Sequence, residues 1–298
     1  MIIITEQILL LFIFMLIGYT LGKTGLIDRK ESRVLSTLLV YLFFPCTIFK
    51  AFYTNFNIAN LSVYYPLTLS GIVILGIIIV FASIMSKYLG KDEYEKKIYK
   101  YTLIIANFGY MGYAVAEGLF GTDGLLNMIL FAMPFSCFTY TAGYCMLTKR
   151  ELSLKRLINP VMIAIFLGAV FGLTGIKIPK LAKTAVLKSS SCMAPISMLL
   201  AGITISEYKI KELITDKNVY IACAFRLIII PVTLLLVLRQ FAPENIVRSA
   251  VLLTAMPCGL NTIIFPRLIG ENCKTGAKLA FVSNILALAT IPLIINAI

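Results

Sequence analysis

Ala106-Asn107-Phe108-Gly109-Tyr110-Met111-Gly112 interrupts an apolar run long enough to cross a membrane. Two glycines and an asparagine leave the helix poorly specified there. In hydrocarbon each unsatisfied backbone group costs several kcal/mol, so such a break survives only where it faces protein or a wet cavity. A second break, Met256-Pro257-Cys258-Gly259-Leu260-Asn261, lies in the other half of the chain. Broken helices in matching positions of two halves point to a transporter's binding site.

The bulk composition agrees with a membrane setting. The chain is 59% hydrophobic and 14% charged, with a mean hydropathy of +0.92. Soluble domains carry roughly 45–50% apolar and about 25% charged residues. The first apolar run, from Ile8 to Leu21, lacks a basic segment before it and is followed by further runs, so it is read as a retained helix. The net charge of +13 comes from short loops between apolar runs, with no aromatic-interleaved basic patch, so no nucleic-acid partner is expected. Histidine is absent and the seven cysteines show no CxxC spacing, so a Cys/His metal cluster is excluded and no cofactor is expected. There is no Gly-x4-Gly-Lys-Ser/Thr loop for ATP and no catalytic constellation within the apolar runs, so the chain does not read as an enzyme.

A spanning helix needs about 20 mostly apolar residues. Ten candidate spans follow: 3–21, 34–53, 63–86, 101–120, 124–147, 158–174, 186–205, 218–238, 246–266 and 276–297. With ten spans, 19 of the 27 Lys and Arg residues fall on one side, 7 on the other, and Arg226 inside a span. The positive-inside rule makes the richer side cytoplasmic and puts both termini outside.

The halves also echo each other. Gly18-x3-Gly22-x-Thr24-Gly25 matches Gly168-x3-Gly172-x-Thr174-Gly175, and Pro45 falls on Pro195 at the same offset. Leu119-Phe120-Gly121 meets Leu268-Ile269-Gly270 one residue out of that register. Residues 1–150 and 151–298 thus read as two five-span repeats, and an odd number of spans requires them to insert with opposite orientation. The glycines also suit small-xxx-small helix packing, and the prolines suit kinks.

The candidate site residues lie at the two breaks. A half-helix starting at mid-membrane presents free N–H groups and the positive end of a dipole, and two converging ones make an anion site without a full charge. Asn107 and Asn261 could each cap a half-helix or bind a carboxylate. Gly109, Gly112, Pro257 and Gly259 complete the expected substrate-binding set, and Tyr110, Tyr113 and Tyr140 suit either the pathway lining or packing. Arg226 lies about 12 Å into its span at 1.5 Å per residue. Burying it costs about 2.5–3.5 kcal/mol, so it needs a partner. It reads either as a countercharge for an anionic substrate or as a structural or snorkelling arginine. Glu117 is the candidate for proton coupling, against an ordinary interfacial acid.

These motifs resemble the auxin efflux carrier family in its bacterial branch. Asn107-x-Gly109-x-x-Gly112-x-Ala114 is similar to that family's Asn-x-Gly-x-x-Gly-x-Pro pattern, with alanine in the proline's place. Asn159-Pro160 leading to Gly168, Ala194-Pro195 with Leu200-Ala201-Gly202, and Met256-Pro257 with Asn261 extend the resemblance over the whole chain. The resemblance implies an all-α integral membrane protein: ten transmembrane helices in an inverted five-plus-five repeat, with broken helices four and nine crossing. It implies a scaffold of helices 1, 2, 6 and 7, and a moving domain of helices 3–5 and 8–10. The implied substrate is a small organic anion, auxin-like or malate- or malonate-like, carried by alternating access across a prokaryotic cytoplasmic membrane. The lipid bilayer and a homodimer through the scaffold are the other implied partners. The alternatives are a sodium-coupled symporter of the bile-acid type, or a sensor that binds an anion without moving it.

Overall fold

The computed structural model describes residues 2–149, 151, 158–267, 269–271 and 273–298. Leu268 of the recurrence and the loop cations Arg150, Lys155 and Arg156 lie outside these residues. Among the described residues the fold is helical throughout, with no strand. The order begins α1 (Ile2–Lys23), α2 (Arg29–Leu38), α3 (Phe44–Asn55), α4 (Leu61–Leu89), α5 (Glu93–Ile104), α6 (Tyr113–Phe138) and α7 (Tyr144–Thr148). It continues with α8 (Pro160–Thr174), α9 (Lys180–Ser191), α10 (Met193–Ser206), α11 (Ile210–Leu213), α12 (Lys217–Ala224), α13 (Ile230–Leu238), α14 (Glu244–Ala255), α15 (Asn261–Arg267) and α16 (Lys274–Ile295). Wider π-helical turns link several of these helices: Leu39–Phe43, Phe108–Gly112, Thr139–Gly143 and Phe225–Ile229.

Among the described residues six helical runs are long and apolar enough to cross a membrane: Glu31–Asn55, Ile58–Leu89, Phe108–Thr148, Lys180–Ser206, Lys217–Leu238 and Lys274–Ile295. Leu9–Lys23 and Pro160–Thr174 are apolar but shorter. On α4, Ile72, Ile77 and Val80 are more than half exposed, while Gly71, Ile74 and Ile78 face the interior. An outer face of branched aliphatics suits lipid, which does not penalise it as water does.

Local signals set the helix ends. The Asn159 carboxamide accepts from the N–H groups of Val161 and Met162 at 3.0 and 3.1 Å, and Pro160 fills the first turn of α8. Asp92 caps α5 in the same way through Tyr94 and Glu95. The expected spans four and five, 101–120 and 124–147, are joined by a bend rather than a loop. Helix continues from Phe108 to Thr148 except at Gly121, whose φ of 67° and ψ of −166° are open only to glycine. The positive-φ glycines among the described residues are Gly25, Gly121, Gly175 and Gly270. They fall into two pairs at the spacings of the sequence recurrence.

The recurrent glycines let backbones touch. A Cβ on Gly18 would lie 2.1 Å from the Leu199 carbonyl oxygen, and one on Gly202 would lie 1.9 Å from that of Met15, so α1 and α10 are in backbone contact. Gly168 and Gly172 do the same for α8 against Phe52 and Phe56 at the end of α3. Gly202→Val should therefore lower the thermal unfolding midpoint in detergent by several degrees, as overpacking costs about 1–3 kcal/mol. Gly76→Ala, with open space around it, should leave the midpoint unchanged or raise it slightly.

Candidate functional site

Both apolar helices break where their sequences demand it. Helix α5 ends at Ile104, and Ile105 turns extended before the Asn-Phe-Gly run. Helix α14 ends at Ala255, and Met256 is extended because the ring of Pro257 disfavours helical backbone before it. The two extended segments cross antiparallel, with Ala106 opposite Cys258 in a single β-bridge. The Asn107 N–H donates to the Pro257 carbonyl at 2.7 Å. The Cys258 N–H donates to the Ser283 hydroxyl oxygen on α16 at 2.9 Å. A Cβ on Gly259 would sit 3.3 Å from the Ala106 oxygen, so glycine permits the close crossing.

Helix then resumes on both strands of the crossing. The Asn107 carbonyl accepts from Met111 and Gly112 at 3.1 Å each, opening the turn that leads into α6. The Leu260 carbonyl accepts from Ile263 and Ile264 at the start of α15. A cavity of about 30 Å³ lies beside the crossing, lined by Asn107, Gly109, Tyr110, Gly259 and Asn261, together with Phe44, Ser136, Thr139 and Tyr140. That is room for a water molecule or two, not for a carboxylate. Phe44 closes one wall, with its ring stacked on Tyr110 and Tyr113 at centroid distances of 6.2 and 5.7 Å. A Cβ on Gly109 would reach the edge of that ring at 3.0 Å. From α10, the Ser197 hydroxyl donates to the Tyr110 carbonyl at 2.9 Å.

Four of the expected residues, Asn107, Gly109, Gly259 and Asn261, thus share one cavity. Asn107 is 2% exposed, and neither its amide nitrogen nor its amide oxygen has a partner. It does not cap the following helix through its side chain. The Asn261 amide nitrogen donates to the hydroxyl of buried Tyr101 at 3.1 Å. Pro257 contributes its carbonyl to the crossing. Gly112 lies apart from the cavity, where a Cβ would meet Met128 and Met256. Arg226 is also outside the lining and fully buried. It donates to the carbonyls of Leu103 and Leu253 at 3.2 and 3.3 Å. Glu117 forms an ion pair with Lys50 of α3, both side chains half-buried.

Sequence reasoning missed Phe44, Tyr101, Ser136 and Thr139. Phe44 adjoins the recurrent Pro45, which was a usable signal. Thr139 opens a π-helical turn, a feature frequent at functional sites but without a residue pattern of its own. Three of the four π-helical turns named above border the cavity or lead into it, and the fourth carries Arg226. Ser283→Ala tests the crossing itself. It strips the buried Cys258 N–H of its acceptor and should cost about 1–3 kcal/mol, seen as a lowered unfolding midpoint.

Comparison with known proteins accords with this architecture. A family model described as membrane transport protein matches residues 3–156 and 149–295. A protein named as an uncharacterized transporter from Methanocaldococcus jannaschii is 24% identical over 97% of this chain and 96% of its own length. A second protein so named, from Methanothermobacter thermautotrophicus, is 23% identical over the same shares. With both halves of the chain matched, this protein belongs to the membrane transport protein family, the auxin efflux carrier type that its motifs resemble.

Proposed function

We propose that this chain is a secondary carrier that moves a small organic anion, a mono- or dicarboxylate, by alternating access at the crossing of its two broken helices. The observation that carries the reading is Asn107. A buried carboxamide with no protein partner for either polar atom is costly, and its place on the cavity lets a ligand supply one. Its amide N–H₂ group can donate to a carboxylate beside the N-terminal end of the helix that begins at Phe108, where the dipole favours negative charge.

On this reading the chain makes ten crossings in two inverted repeats, residues 1–150 and 151–298. The paired positive-φ glycines and the two glycine-mediated helix contacts support that symmetry. The scaffold comprises α1–α3 and α8–α10, and the remaining spans move against it. The protein sits in a prokaryotic cytoplasmic membrane with both termini outside, and a homodimer would form through the scaffold. The 30 Å³ cavity is then a closed state, and the scaffold residue Phe44 has to withdraw before substrate enters. The Lys50–Glu117 ion pair joins the scaffold to the moving body, so it has to break in each cycle. This favours a gating role for Glu117 over proton coupling.

The test is uptake of labelled indole-3-acetate, malate and malonate into proteoliposomes. The reading expects saturable flux of at least one of them. Asn107→Ala should lower kcat/KM at least tenfold, about 1.4 kcal/mol of lost recognition. Binding without flux would instead identify a sensor, and an unchanged Asn107→Ala carrier would remove the site assignment.

A further inference from the structure

Arg226 holds the ends of two helices at once. Leu103 lies in the last turn of α5 and Leu253 in the last turn of α14. Their carbonyls therefore belong to the groups that a helix leaves without an internal partner. One guanidinium nitrogen donates to each, at 3.2 and 3.3 Å, while the Nε–H meets no acceptor. Among the described residues no carboxylate pairs with Arg226.

A helix C-terminus carries roughly half a negative charge, so two of them present about one. A single guanidinium cancels that charge. Two half-helix ends with carbonyls turned to a common point are also the chemistry by which broken-helix carriers hold a sodium ion. In this chain the place between the ends is occupied by a side chain. It comes from α12–α13, through a π-helical turn that sets Arg226 towards both of them.

We infer that Arg226 is a tethered cation: it stands where a coupling metal ion would bind and fastens α5 to α14, so that the crossing moves as one body without sodium. It is a positioning residue for the crossing, not a contact for the transported anion. The charge also stays in place through the cycle, whereas a bound ion would dissociate. The inference does not depend on the identity of the substrate, and of the two readings of Arg226 in the sequence it takes the structural one over the substrate countercharge.

The test is thermal unfolding of the purified full chain in detergent, in sodium, potassium and choline chloride at equal ionic strength. The wild-type midpoint should be the same in all three. Arg226→Lys, which keeps the charge, should retain most of the stability, and Arg226→Met, which keeps the bulk, should lose at least about 5 °C. Arg226→Ala should be restored by low millimolar guanidinium or by sodium, but not by neutral urea at the same concentration. A variant that fails to fold counts as fully destabilised, so the Lys and Met pair decides where Ala is lost.

Saturable stabilisation of the wild type by sodium would overturn the inference. So would Arg226→Met matching or exceeding Arg226→Lys, or equal rescue of Arg226→Ala by guanidinium and urea. Failure of both guanidinium and sodium to stabilise a folded Arg226→Ala chain would overturn it too. A chain that shows no anion flux but passes these tests would sink the carrier reading and leave the tethered cation standing.

Discussion

One hydrogen bond, from the Asn107 N–H to the Pro257 carbonyl, makes the rest of the structure permissible. Two helices that stop inside a protein or a membrane would each leave several backbone groups without partners, at several kcal/mol apiece in hydrocarbon. By crossing, each broken segment becomes part of the other's solution: Ala106 pairs with Cys258, and Ser283 takes the remaining Cys258 N–H. The geometry has strict residue needs. Pro257 enforces extended backbone before it, and Gly259 lets Ala106 come within van der Waals reach.

The crossing also sorts charge. The C-terminal ends of α5 and α14 meet on Arg226, while the helix that starts at Phe108 turns its N-terminal end to the cavity. The negative ends are therefore neutralised inside the protein, and the positive end faces the small cavity behind Phe44. On the proposed reading an anion site would arise from backbone dipoles and neutral amides, with the only buried guanidinium among the described residues held on helix carbonyls.

Much of this was legible in the residues. Gly109 and Gly112 inside one apolar run, and Pro257 and Gly259 inside another, marked both breaks, because glycine and proline are the residues that weaken a helix where lipid would otherwise enforce it. The recurrence of Gly18 and Gly22 at Gly168 and Gly172 pointed to paired helix contacts, and all four lie at such contacts. The rest depended on distance through space. Nothing near Arg226 in sequence indicates that its partners are carbonyls 123 and 27 residues away. Lys50 and Glu117 are 67 residues apart, so their pairing left no local trace. The bend at Gly121 was expected as a loop, since composition alone does not distinguish a single positive-φ glycine from a short connection.

The central claim is that the crossing holds an anion on Asn107. The most direct measurement is the position of a carboxylate in an experimental structure of the substrate-bound protein. The account predicts a carboxylate oxygen within about 3.2 Å of the Asn107 amide nitrogen, with Phe44 displaced and Arg226 still on the carbonyls of Leu103 and Leu253. A carboxylate seated on Arg226, or an Asn107 amide satisfied by protein groups alone, would contradict it.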